Sequence, residues 1–458
     1  MRQTALLLSA AALLGAATDR PQVSRAIEER TGHGLKPQSD PARAVPTILA
    51  ESQTARLPVT ASGARRGPAS LPPGVTLDQP LSADDAVAVA LWNNRALEAT
   101  LAQLGLARAD LVEAGLLRNP NLSLLFPVGP KPFELLAALP VEALWQRPRR
   151  VAAARLNLEA VAEGLVQHGL DLARDVRIAH ADLVLAGERS TLGAGAAALR
   201  QKIAELTGRR VRTGDAGALD LTLARWEARA AEEQAARQVR EAESAGQRLV
   251  FLLGLGAGAR SITAAVDAIP PATPPAREDL VETALAARPD LRAAELAVQA
   301  AVRRAGWQRS RILALAPALS SKGVGDHGVR SGPGLSLDLP LFHRNQGAIS
   351  RADAEVEQAS LQYLAARDQV EMEVGLARVQ LEQARESLER IRSEILPAAR
   401  EAAGLAEKAY RAGQESYLYT LEASRRIQDA LWQEAGAAVE VRRAAARLER
   451  GVGRKVWR

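Results

Sequence analysis

The feature that most constrains this chain is a short alternating strand that feeds a helix far too long for any ordinary core. Gly334-Leu335-Ser336-Leu337-Asp338-Leu339 puts three leucines on one face and Ser336 and Asp338 on the other, the period of a strand between apolar and wet surroundings. Pro340-Leu341-Phe342-His343-Arg344-Asn345-Gln346-Gly347 stops it. From Ala348 the pattern is helical to Gly413, interrupted by one proline, Pro397. Val374, Ala377, Leu381, Ala384, Leu388, Ile391 and Ile395 alternate steps of three and four, the spacing of a coiled-coil seam. A helix from Ala348 to Ala412 would be roughly 100 Å long.

The same program occurs earlier in the chain. A helix is expected from Leu81 to about Leu117, opened by Ser82 with Asp85 three residues on and ended by Asn119-Pro120. Strands are expected at 119–126 and 133–144, then a second long helix after Arg147-Pro148-Arg149-Arg150. Its seam is Leu158, Val161, Leu165, His168 and Leu172, which puts His168 in a packed or lumen-facing place. Thr213-Gly214-Asp215-Ala216-Gly217 breaks it, and a further helix runs to about Leu253. Ala90–Leu97 matches Ala284–Leu291 at an offset of 194 (291 − 97), Leu144–Arg147 matches Leu341–Arg344 at 197 (341 − 144), and Gly214 matches Gly413 at 199 (413 − 214). A slowly drifting offset marks an internal duplication. The expected layout is a first repeat at 81–253, a linker at 254–277, a second repeat at 278–453 with strands at 311–322 and 332–341, and a basic tail at 454–458.

Composition agrees with long helices packed through small side chains: 47% of residues are hydrophobic but only 3% aromatic. The net charge of +6 is spread along helix faces rather than gathered on one basic surface, which argues against nucleic acid. The absence of cysteine excludes disulfides, thiolate metal sites and a lipidated cysteine anchor. Arg2, the apolar run Ala5–Leu14 and the small residues Gly15-Ala16-Ala17 read as a secretory signal peptide over 1–17. Residues 18–80 read as an irregular leader rich in Pro, Ser, Thr and Arg. The five histidines show no metal-ligand spacing and the glycines build no phosphate loop, so neither an enzyme nor a cofactor is expected.

Each half thus supplies two short strands, and four strands cannot close a barrel or leave open edges in a bilayer. Their lengths suit tilted outer-membrane strands, and Phe126, Phe133, Phe342, Trp145 and Trp307 lie in or near them, as an interfacial girdle would. Three copies would supply twelve strands.

At this point the residues resemble the TolC family of outer-membrane efflux channels, over about Leu81 to Gly453. The resemblance rests on Leu91-Trp92-Asn93-Asn94 with Leu97, Leu116-Leu117-Arg118-Asn119-Pro120, Leu339–Gly347, Ile395-Leu396-Pro397, and Tyr410-Arg411-Ala412-Gly413 with Leu418 and Leu421. It implies a mainly α fold with a small β part: a homotrimeric, twelve-stranded barrel in outer-membrane lipid, continued by an α-helical coiled-coil tunnel through the periplasm of a Gram-negative cell. It also implies a passive conduit in a tripartite efflux or type I secretion system, with a periplasmic adaptor and an inner-membrane pump of the RND or ABC type as partners. The family's gate maps onto Glu415, Tyr419 and Glu422, with Asp220 as the first-repeat counterpart of Tyr419 (419 − 199). Glu415 stands where some members carry the gate arginine and Tyr419 at an acidic position, so only Glu422 keeps the charge type. Adaptor contact maps to the hairpin tips, at Arg212, Gly214, Asp215 and Gly413. Pro397 should bend the long helix, whereas its first-repeat equivalent, Ala198, should not. Glu422 and Asp220 facing solvent on ordinary helix turns, and a soluble periplasmic coiled-coil adaptor or a structural envelope protein, remain the alternatives.

Overall fold

A computed structural model describes residues 19–37, 70–126, 133–214, 216–256, 262–269, 274–312, 314–323, 328–338, 340–412, 414 and 417–457. The expected signal peptide lies outside the described residues. In chain order the first helices are α1 (Arg20–Thr31), α2 (Ala83–Asn93), α3 (Arg95–Leu101) and α4 (Gln103–Gly115). Strands β1 (Asn121–Leu125) and β2 (Glu134–Ala138) follow, then α5 (Glu142–Thr213) and α6 (Ala218–Leu252). The second half has α7 (Arg277–Ala287), α8 (Pro289–Arg309), β3 (Ala314–Gly323), β4 (Val329–Asp338), α9 (Gln346–Arg390), a π-turn at Ile391–Ile395, α10 (Leu396–Arg411) and α11 (Tyr417–Val452).

The chain divides into two units. One contains the described residues up to Val23, Ala99–Gln167 and Arg288–Val370; the other contains Ser24–Glu98, His168–Ala287 and Glu371–Arg458. The first holds a four-stranded antiparallel sheet of order β1-β2-β3-β4, so two hairpins distant in sequence join through β2 and β3. The second strand, expected over 133–144, ends at Ala138. Leu139 and Val141 still donate to the carbonyls of Pro317 and Leu315, but Pro140 has no N–H to give, and α5 starts at Glu142 rather than after Arg150. Pro148 therefore lies inside α5, where it forfeits one hydrogen bond near the helix start. The Arg147 Nε donates to the Gly115 carbonyl at 2.7 Å and an Arg150 nitrogen to the Leu116 carbonyl at 2.8 Å. Both satisfy the open C-terminal end of α4, where positive charge is favoured. In the second half Asn345, at φ +59°, closes α8 similarly, its Nδ2 donating to the Gln308 carbonyl at 2.7 Å.

The expected single helix Leu81–Leu117 is three helices. Asn94 explains the first break: its Oδ1 accepts the Leu97 N–H at 3.0 Å, opening α3, while its Nδ2 donates to the Leu252 carbonyl at 2.8 Å. At the matching position of the second half, Arg288 separates α7 from α8, which begins with Pro289. α4 and α8 both end 194 residues apart (309 − 115), so the duplication seen in sequence is also one of element boundaries. The leader is not wholly irregular. α1 buries Ile27 against Gly169, where an added Cβ would lie 2.9 Å from the Ile27 Cδ1, so only glycine admits the contact without a shift. Lys455 N–H donates to the Arg30 carbonyl and the Arg30 guanidinium to that of Ala287, tying this helix to the end of the chain.

The second unit packs α5 against α11 through small side chains. Ala181, Leu185, Ala435 and Val439 form one buried cluster. Arg450 donates to Asp171 at 2.7 Å, and Arg443 pairs with Asp182. The buried stripe of α5 is Leu158, Ala162, Leu165, Ala173, Val176 and His180, close to the natural 3.6-residue period rather than the 3.5-residue seam expected. That drift puts His168 on the exposed side, which removes the packed option and leaves the lumen-facing one. Among the described residues His180 is the buried histidine, its Nε2 2.7 Å from the Leu81 carbonyl oxygen.

Candidate conduit surfaces and gate

Residues paired across an antiparallel sheet share a face. Through the register Leu122↔Ala137↔Leu319 and Leu124↔Leu135, one face collects Leu122, Leu124, Leu135, Leu319, Leu335 and Leu337. Five of these six leucines are exposed. The opposite face carries Asn121, Ser123, Ser320 and Ser336, with Lys322 and Glu134 paired at 2.7 Å, although Leu125 and Leu136 also lie there. Among the described residues β1 and β4 each have one side without a partner strand. Phe126 and Phe342 are exposed beside the sheet, and Trp307 is half-buried with the Arg311 guanidinium 5.2 Å from its ring centre.

α9 is apolar on two sides. Val370, Val374, Ala377, Leu381 and Leu388 are buried, yet Leu361, Leu364, Met372, Leu376 and Val379 form a second stripe at helical spacing that is exposed. The seam expected to continue to Ile395 changes phase at the π-turn. Its extra residue leaves Ile395 exposed and buries Leu396 instead. The Leu396 N–H reaches back five residues to the Ile391 carbonyl, and Pro397 follows at once.

The hairpin tips lie at the ends of α5 and α10. At the first, Gly214 takes φ +84° and its N–H donates to the Val211 carbonyl, a left-handed stop that suits glycine. Asp220 is occupied as a helix cap, its carboxylate accepting the Gly217 N–H at 3.1 Å. Arg212 is exposed. At the second tip Tyr419 is exposed, and Glu422 accepts a hydrogen bond from Arg426 at 3.2 Å one turn along the same helix. Asp215, Gly413 and Glu415 lie outside the described residues.

Residues 280–454 match the family described as outer membrane efflux protein. The chain is 28% identical over 382 residues to the cobalt-zinc-cadmium resistance protein CzcC of Cupriavidus metallidurans, covering 82% of this chain and 90% of the relative. The likeness to outer membrane efflux proteins is carried by residues 280–454 and, over most of the chain, by the Cupriavidus relative. The fold of this chain is that of a membrane protein from Pseudomonas aeruginosa, with TM-score 0.70, 23% identity and coverage of 81% and 93% of the two chains. It is also that of the outer membrane channel CmeC of Campylobacter jejuni, with TM-score 0.70, 15% identity and coverage of 81% and 85%.

The likeness is to outer membrane efflux channels and not to enzymes. The fold matched is that of an outer membrane channel rather than of a soluble coiled-coil adaptor. Sequence reasoning missed one feature of the tip region. Glu227 is buried within the small-residue stripe Ala224, Ala228 and Ala231 of α6, where Arg425 of α11 pairs with it, and the Arg200 guanidinium donates to Gln428 at 3.3 Å. A glutamate inside a stripe of alanines was the available signal.

Proposed function

We propose that three copies of this chain close a twelve-stranded barrel in outer-membrane lipid and continue it as a helical tunnel into the periplasm. The tunnel is a passive conduit, energised by an inner-membrane pump of the RND or ABC type through a periplasmic adaptor. The observation that carries this reading is the sheet. Its leucine face is uncovered, its other face is mainly polar, and its two edges lack partners. Lipid on the leucine side, water on the polar side and a neighbouring copy at each edge answer all three needs at once. The ten-residue strands β3 and β4 have the length of a tilted outer-membrane strand. The exposed stripe of α9 is a surface for a neighbouring copy's helix.

We assign the gate to the second tip, at Glu422, Tyr419 and Glu415, and adaptor contact to Arg212, Gly214, Asp215 and Gly413. Asp220 is the first-repeat lumen candidate, and its carboxylate also caps the start of α6. Single-channel conductance of the purified protein in planar bilayers, with its mass measured alongside, tests the reading. A trimer whose pores conduct, and which open further and lose cation preference in Glu422→Ala as Arg426 is left unpaired, is the expected result. A conducting trimer indifferent to that change removes the gate assignment alone; a monomer without conductance removes the channel assembly.

The name of the Cupriavidus relative favours divalent metal ions as cargo. Deleting the gene should then sensitise its host to cobalt, zinc or cadmium salts, and unchanged sensitivity to all of them would discard that cargo.

A further inference from the structure

The second unit contains a cavity of about 850 Å³ that neither the sheet nor the tips use. It lies between α5, α6, the 262–266 segment and α11, and Leu183, Val184, Val250 and Ile262 form its buried apolar wall. At Gly187 an added Cβ would meet nothing within 4 Å, so that side of the cavity is open for want of a side chain. The size is that of a small-molecule site, and so is the pairing of an apolar wall with few charges.

Three carboxylates and two guanidiniums line it: Glu188, Glu243, Glu434, Arg392 and Arg442. Both guanidiniums are engaged. Arg392, carried by the π-turn, donates to Glu434 at 2.8 Å, and Arg442 donates twice to the Asp267 carbonyl, at 2.7 and 3.2 Å. Among the described residues no hydrogen bond or ion pair reaches Glu188 or Glu243. Glu188 is the more confined of the two. Burial raises its pKa, against the attraction of Arg442 and with the help of Glu434. An ionised carboxylate against an apolar wall is costly until a cation answers it.

We propose that this cavity binds an amphipathic organic cation, its apolar body against Leu183, Val184 and Val250 and its charge on Glu188. A neutral guest would leave Glu188 unanswered and an anion would meet surplus negative charge. Among the described residues no group of carboxylates and histidines has the arrangement to hold a bare metal ion. The site rests on the second unit alone and stands whether or not three copies close a barrel.

Fluorescence polarisation of rhodamine 6G, a lipophilic monocation, titrated with the purified full-length protein in a non-ionic detergent tests this. Saturable binding is expected, weakened about tenfold or more by Glu188→Gln, since a charge-assisted contact is lost. Gly187→Leu, which fills open space on a helix that tolerates leucine, should abolish it while the melting temperature holds. Glu401→Gln, outside the cavity, should change nothing. No saturable binding to the native protein, or binding indifferent to both cavity variants, overturns the proposal. Loss in Gly187→Leu with full retention in Glu188→Gln would show an apolar pocket without cation preference, and overturns it too.

Discussion

At the scale of single residues, glycine decides where the second unit can close. Gly254 takes φ +70°, and a Cβ there would lie 2.3 Å from the backbone oxygen of Asn93. Backbone cannot swing aside as the tip of a long side chain can. Gly254→Ala is therefore expected to destabilise the fold by about 3 kcal/mol, from left-handed strain together with the clash, read as a lower melting temperature. Asp84 shows a second local balance. Burial works against its charge, but hydrogen bonds from Arg177 at 2.9 Å and Lys455 at 3.0 Å outweigh it and hold the carboxyl below its usual value. A carboxyl depressed in this way stabilises the fold at neutral pH and ceases to do so as the pH falls through its lowered value.

At the scale of elements, the break between α9 and α10 is a π-turn with a cause. Proline at 397 has no N–H for the carbonyl of Ser393, and the extra residue of the turn absorbs that loss before the helix resumes. Pro397→Ala restores the donor. Hydrogen exchange across residues 394–400 should slow about tenfold, the equivalent of ~1.4 kcal/mol of local stability, and unchanged exchange would separate the turn from the proline. Proline and strict alternation were the readable signals: Leu335 and Leu337 against Ser336 put β4 within a few residues of its place, and the matched segments showed the duplication, though not the break at Asn94. What escaped has a physical reason in each case. α1 offers only Val23 and Ile27 as large aliphatic residues in a polar stretch, and the slot that holds Ile27 is a glycine on a distant helix. The outward turn of His168 depends on the small difference between 3.5 and 3.6 residues per turn, which accumulates along 72 residues of α5. The cavity around Glu188 has no motif at all, since its charges come from three helices and the π-turn.

At the scale of the whole molecule, the exposed stripe of α9 would make the proposed three-copy assembly separable from folding. Leu376 is half exposed, at 52%, so Leu376→Glu leaves the buried side of its helix intact. That variant is expected to keep its helical signal and melting behaviour while running as a monomer in native mass measurements; an undisturbed trimer would assign the stripe elsewhere. If three copies close one barrel as proposed, the sheet imposes a sequence of events on the cell as well. A newly exported copy carries a greasy leucine surface and two bare strand margins together, and has no settled home in either water or lipid. Insertion cannot precede the meeting of the copies, nor can the copies wait long for one another unprotected. Such a chain needs an escort through the periplasm, and its yield in the membrane should rise with the supply of that escort more steeply than with the supply of the chain itself.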